Sequence, residues 1–262
     1  MNFSLRKDKQ DKKEAEYVIF KSIKGCPPPD KVAGLKGFTL AEVLITLGII
    51  GVVAALTIPN IIGHYKKVEA SSRLKKFYSI MEQAIRMSEI EYGDSKEWFK
   101  ASTQYDDEGN VDYDAQGKVS KEFFMTYLAP YFKYTSITDG KNTVDEEGNK
   151  TGTSTTVYLA DGTYFSFNNG SCMDFAFDTN GNKKPNEFGR DKFAFLMCFS
   201  ESTRLYHCGS NQKAFCAYGG SAQNADNTRE KRLADCKKSG YWCSGLLLMD
   251  NFEFKDDYPY KL

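Results

Sequence analysis

From Val43 to Gly63 the chain runs 21 residues without a charge, VLITLGIIGVVAALTIPNIIG. A helix needs ~20 apolar residues to cross the hydrocarbon core of a bilayer, so this run predicts a membrane-spanning helix. It has no polar face, unlike the core helix of a soluble domain. No small-residue cleavage motif closes it, unlike a secretory signal. Beyond Gly63 the pattern changes. Leu74, Phe77, Tyr78, Met81, Ile85 and Ile90 recur mostly at steps of three and four, while Lys66, Lys67, Arg73, Lys75, Lys76 and Arg86 fill the other faces. That stripe predicts a helix with one side laid on a globular body. Gly93 is a natural stop. The whole pattern predicts one helix from about Phe38 to about Glu91, ~80 Å long at 1.5 Å per residue.

The remainder reads as shorter elements. Val119–Phe132 predicts a short amphipathic helix, preceded by turns at Asp107–Asn110 and Asp112–Gly117, with a further turn at Asp145–Asn149. Thr156–Ala160 and Thr163–Phe167, split by Asp161-Gly162, predict a β-hairpin closed by Asn168-Asn169-Gly170. Ser171–Phe177 and Lys192–Phe199 predict two further Phe-rich strands, and residues 224–238 a polar helix. Phe252-Glu253-Phe254 and the tail around Tyr258 predict an edge strand and a cap. A long helix followed by an antiparallel sheet places the chain in the α+β class, with the N-terminal helix packed on a C-terminal β-sheet head.

Composition adds an asymmetry. Lys+Arg and Asp+Glu both total 35, so no overall basic field invites nucleic acid, and none is expected as a partner. Residues 1–37 nevertheless carry nine Lys/Arg against five Asp/Glu, and the excess stands directly before the apolar run. Basic residues stay on the cytoplasmic side, so the bulk of the chain is predicted to be exported. The cysteines divide the same way. Cys26 lies in front, while Cys172, Cys198, Cys208, Cys216, Cys236 and Cys243 lie in the last third. An even set beyond a membrane segment predicts disulfides formed in an oxidising compartment. Six cysteines allow 15 pairings; the close pairs Cys208/Cys216 and Cys236/Cys243 suit local bridges. A zinc site is the weaker alternative, because no C-x-x-C occurs and the histidines are only His64 and His207.

The stretch Lys36-Gly37-Phe38-Thr39-Leu40-Ala41-Glu42-Val43-Leu44 resembles the processing site of type IV prepilins and type II secretion pseudopilins. The resemblance covers residues 36–90. It implies that prepilin peptidase cuts between Gly37 and Phe38 and methylates the new amine of Phe38. It also implies that Glu42 is the family's assembly glutamate and Pro59 its helix-breaking proline. The chain would then comprise a cleaved cytoplasmic leader (1–37), the pilin helix (38–93) and an exported head (94–262). The expected partners are the peptidase, other pilin or pseudopilin subunits and an assembly platform in the inner membrane. The protein would wait as a single-pass cell-membrane protein with a cytoplasmic N-terminus, then enter a periplasmic or extracellular filament. A mature length of 225 residues favours a minor pilin or pseudopilin. The leader departs from the family in its length and in Cys26 followed by three prolines. Glu42 gains a physical role: pairing a carboxylate with the Phe38 amine, on a neighbouring subunit or one turn away in the same chain, neutralises two charges in low dielectric.

One stretch carries metal-site chemistry. In Asp178-Thr-Asn180-Gly-Asn182-Lys-Lys-Pro-Asn186-Glu-Phe-Gly189-Arg-Asp191, hard oxygen donors alternate along a Gly/Pro turn, as structural calcium requires. Candidate ligands are Asp178, Asn180, Asn182 and Asp191, with backbone carbonyls. The spacing is not that of an EF-hand, although it loosely resembles the calcium loop of major pseudopilins. The alternative is an Asx-rich turn that binds nothing. No catalytic motif is present: there is no G-x-S-x-G, phosphate loop or H-E-x-x-H. The expectation is a structural subunit and not an enzyme. A pilus-associated adhesin or ligand-binding head, and more remotely a membrane-tethered enzyme, are the rival readings.

Overall fold

The computed structural model describes residues 37–100, 103–144, 148, 150–219 and 227–262. The leader residues 1–36, with Cys26, and most of the expected turn at Asp145–Asn149 lie outside this set. The chain divides into two units, Met1–Thr57 and Ile58–Leu262.

Helix α1 spans Leu40–Tyr92, close to the expected limits. Gly93 ends it with φ +80°, its amide donating to Glu89 O at 3.0 Å. Pro59 lies inside the helix and supplies no amide to the turn before it. Ala70, Leu74, Phe77, Tyr78, Met81, Ala84, Ile85 and Ser88 are buried at steps of three and four. Ile90, expected on that stripe, is instead 81% exposed, because the core ends one turn earlier.

In the second unit, α2 spans Tyr113–Phe123 and continues through a wide π turn at Phe124–Leu128 and a tight turn at Ala129–Tyr131. The expected turn at Asp112–Gly117 is therefore wrong. Asp112 caps α2, its side chain accepting from the amides of Asp114 and Ala115 at 3.0 Å each. An aspartate makes the same local hydrogen bonds in a turn and at a helix start, so the residue alone does not separate the two.

Six strands follow: β1 Tyr134–Val144, β2 Lys150–Leu159, β3 Tyr164–Asn169, β4 Met173–Asp178, β5 Lys192–Met197 and β6 Phe215–Ala217. They form one antiparallel meander in the order β1-β2-β3-β4-β5-β6. The α+β class therefore holds. Gly117 of α2 crosses Gly140 of β1 so closely that a Cβ on Gly117 would meet Gly140 Cα at 3.0 Å.

Alternation along the strands sorts the side chains. Phe165, Phe167, Phe175, Phe177, Phe193, Phe195 and Phe215 are all at most 2% exposed, in one cluster with Leu74, Phe77 and Met81 of α1. Phe77 stacks on Phe177 at 4.2 Å and meets the edges of Phe195 and Phe215. Each such ring contributes about 1.5–3 kcal/mol by leaving water. A smaller cluster gathers Leu196 with Cys172, Cys198 and Cys216.

Among the described residues three short α-helices complete the head: α3 Glu201–Cys208, α4 Arg229–Lys238 and α5 Cys243–Met249. The edge strand expected at Phe252–Phe254 does not form. Phe252 takes φ +58°, leaves the extended region and packs its ring on Tyr78 at 5.3 Å. The tail does act as a cap: Tyr258 is buried and donates to Gly189 O at 2.6 Å.

Candidate functional site

Two places carry the chemistry singled out from the sequence, one in each unit. The first is the head of α1. Thr39 is its capping residue and Glu42 stands three positions on, a T-x-x-E capping box. The Thr39 amide and hydroxyl both donate to Glu42 Oε2 at 2.8 Å, and the Glu42 amide donates back to Thr39 Oγ1 at 3.2 Å. Glu42 Oε1 takes no hydrogen bond from the described residues. Gly37 and Phe38 precede the helix in non-helical conformation, and Phe38 is 87% exposed. Nothing lies within 4 Å of where a Cβ on Gly37 would stand. Thr39 was not singled out beforehand, although the capping-box spacing makes it legible.

The apolar side chains that follow are uncovered in this unit: Ile45, Ile50 and Val52 are each more than 60% exposed. Gly48 and Gly51 likewise face open space. Among the described residues the chain thus carries one helix, near its N-terminus, long and apolar enough to cross a membrane.

The second place is the loop between β4 and β5. Asp178 closes β4 and Asp191 directly precedes β5, and both are buried. The Asp191 carboxylate gathers the loop by accepting from Asn180 Nδ2 at 3.0 Å, Asn186 N at 2.8 Å and Glu187 N at 2.7 Å. Asp178 Oδ1 accepts from the Asn180 amide at 3.0 Å. Burial pushes the Asp178 carboxyl up to about 6; the Asn180 amide opposes the shift and neighbouring Asp191 adds to it. Arg73 of α1 donates to Thr179 O and ties the loop to the helix.

Asp178, Asn180 and Asp191 therefore come together, whereas Asn182 is exposed and joins none of the loop's hydrogen bonds. The residue that takes its place is Asn186, with φ +55°. Its side-chain amide stands 3.2 Å from Gly181 O and 3.0 Å from Asp178 Oδ2. With nitrogen turned inward it donates to both. Asn180 Oδ1 is buried there without a hydrogen-bond partner. The set is two carboxylates plus amide and carbonyl oxygens; no three His, Cys, Asp or Glu side chains gather among the described residues. Hard, neutral and anionic oxygens in a loop suit calcium better than zinc.

The last-third cysteines form three disulfides: Cys172–Cys198, Cys208–Cys216 and Cys236–Cys243. The first joins the chain just ahead of β4 to the end of β5. The second ties α3 to β6 and the third ties α4 to α5. Arg204 of α3, 2% exposed, donates to Cys198 O at 2.9 Å and to Ser95 Oγ at 2.8 Å. Asp250, after α5, receives Arg229 Nε at 2.7 Å and Lys255 Nζ at 2.6 Å.

Residues 60–262 match the model of a family of unknown function, DUF6613. The chain belongs to this family. The DUF6613 match takes in the packed half of α1, the sheet, the loop and all three disulfides, and it begins after the capping box. No curated protein and no solved structure matches the chain.

Proposed function

We propose that the chain is a pilin-like structural subunit of a type IV pilus or type II secretion pseudopilus. Prepilin peptidase cuts it after Gly37, and it assembles with like subunits through the first half of α1. It waits in the cell membrane with its N-terminus in the cytoplasm and its head outside, and an inner-membrane platform moves it into the filament. One observation carries this reading: a G-F-T-L-A-E sequence opens a helix whose next 20 or so residues are apolar and uncovered, while its later residues are built into a head. A helix of this kind needs lipid or other helices around it. Gly48 and Gly51 allow close approach of such neighbours. Three disulfides support an oxidising destination for the head.

The reading is structural and not enzymatic. Burial raises the titration of two carboxylates: Asp178 is fully buried and engaged by the Asn180 amide and the Tyr164 hydroxyl, and half-buried Asp174 is opposed by the charges of His207 and Lys100. In the same proposal calcium orders the loop between β4 and β5. Asp178 and Asn180 would hold it together with backbone carbonyls, with Asp191 bracing the loop. Bound calcium would supply charge neutralisation and nothing catalytic.

The test is co-expression with a prepilin peptidase. Wild type is expected to lose about 4 kDa, the share that 37 of 262 residues take of 29.6 kDa, and to begin at Phe38. Gly37→Ala is expected to stay full length. An unshifted wild-type band defeats the assignment. For calcium, scanning calorimetry of the processed protein is expected to show a melting temperature that chelator lowers and Asp178→Asn makes insensitive to chelator. Identical wild-type traces with and without chelator would leave the loop a plain turn.

A further inference from the structure

A cavity of about 280 Å³ lies between α1 and the loop that follows β4. Its walls carry six cations: Lys66, Arg73, Lys183, Lys184, Arg190 and Lys261. The anions facing it are Glu69 and Asp191. Two of the six cations are occupied, Arg73 by Glu69 at 2.8 Å and Arg190 by Glu187 at 3.3 Å. Asp191 is consumed by the three donors of its own loop. Lys66, Lys183, Lys184 and Lys261 have no ion pair or hydrogen bond among the described residues. Four free ammonium groups thus converge on one concave site. The groove on another side of α1 differs, because there Lys75 meets Glu253 at 3.7 Å.

The position of this surplus is informative. The uncharged run ends at Gly63. At 1.5 Å per residue Lys66 stands about 4.5 Å beyond it and Arg73 about 15 Å beyond. The polar headgroup layer is roughly 5–8 Å thick on each side of a bilayer. The mouth of the cavity therefore begins within that layer when the run spans the hydrocarbon. Lysines are ordinarily scarce on the exported flank of a membrane helix, so a cluster drawn from the helix, a distant loop and the chain end needs an attracting partner. A phosphate-bearing group with net negative charge supplies one, and lipid offers it at that depth.

We propose that this pocket binds the headgroup of an anionic phospholipid on the exported face of the membrane. The inference rests on the membrane-anchored reading above and adds a ligand to it. Lys66, Lys183 and Lys184 would hold the phosphate oxygens, and Ala70 leaves room beside the helix. The contact fixes the height of the head on the membrane before the subunit leaves it.

The test uses the full chain in a neutral detergent and titration calorimetry with three probes: dihexanoyl phosphatidylglycerol, dihexanoyl phosphatidylcholine and inorganic phosphate. Phosphatidylglycerol is expected to bind at least about tenfold more tightly than either other probe. Lys66→Gln/Lys183→Gln/Lys184→Gln is expected to weaken it by about tenfold or more, and Lys118→Gln/Lys237→Gln/Lys238→Gln to leave it within about twofold. These lysines are exposed, so unchanged melting of the variants shows that folding is intact. Equal affinity for phosphatidylcholine, or an unaffected pocket variant, overturns the proposal. Inorganic phosphate binding as tightly as phosphatidylglycerol overturns the lipid source and leaves a free-anion site. Processing after Gly37 is scored on the same preparations. A processed chain indifferent to phosphatidylglycerol defeats the pocket alone, and an unprocessed chain that binds it defeats the pilin-like reading alone.

Discussion

Leu44 and Leu74 sit on the same helix, yet one is 61% exposed and the other fully buried. The first half of α1 has apolar side chains on every face and no cover among the described residues of its unit. The second half narrows them to one stripe, and seven phenylalanines of the sheet receive it. Equal hydrophobicity thus has two meanings. Around Leu74 the partner is encoded in the same chain, and burial stabilises a fold. Around Leu44 the described residues offer no partner, and in the proposed function lipid or other helices would supply one.

The largest expected effect separates the halves directly. Phe77→Ala removes a ring stacked on Phe177 and should cost the head about 3–5 kcal/mol, read as a drop of roughly 10 °C in melting temperature. Ile50→Ala should leave head melting unchanged and affect only assembly. A comparable melting loss from Ile50→Ala would break the contrast. Next comes the far side of the sheet. Removing Cys172–Cys198 as a Cys→Ala pair opens a link of sequence separation 26 and should cost about 3 kcal/mol. Alkylation of the exported, unreduced protein should label none of these six cysteines, and six labelled thiols would defeat the disulfide framework.

Asp250 sharpens the picture by pH. Burial raises its titration, but the hydrogen bonds and charges of Arg229 and Lys255 outweigh that and hold the carboxyl below the ordinary range. Its stabilisation is therefore complete above the unfolded aspartate pKa of about 4 and is lost as pH falls through the lower folded value. Wild type should lose stability between pH 5 and strongly acid solution that Asp250→Asn does not lose. Parallel melting curves for the two proteins across that range would remove Asp250 as the source. The smallest effect lies at the capping box. Thr39→Ala should cost about 1 kcal/mol locally, visible as faster amide exchange at the start of α1 with no change in head melting. Glu42→Val should leave processing intact and impair filament incorporation. Normal filaments would make the carboxylate dispensable.

Much of this contrast was legible in the residue pattern, because a period of 3.6 and an unbroken apolar run are strong signals. The hairpin around Asp161-Gly162 was legible for the same reason, with alternating side chains bounded by turn formers. Strand β1 was not: YTSITDGKNTV is polar and Gly140 interrupts it, so its place depends on pairing with β2 and on the close crossing at Gly117. Asp112 was assigned to a turn because a capping aspartate and a turn aspartate use identical hydrogen bonds. At the Asp178 loop the carboxylates were legible and the shell was not. Alternation favoured Asn182, whereas a left-handed backbone at Asn186 brings that amide to Asp178 instead. Side-chain direction in an irregular loop is set by dihedrals that residue spacing does not encode.

The Glu42 carboxylate is used unevenly. Both donors of Thr39 fall on Oε2, so the chain's own helix start engages one oxygen and, among the described residues, leaves Oε1 without a donor. For a pilin-like chain this permits docking without dismantling. An incoming amine can settle on the idle oxygen while the first turn stays wound, and the acid then serves as a two-sided coupling, one side facing its own chain and the other facing the next.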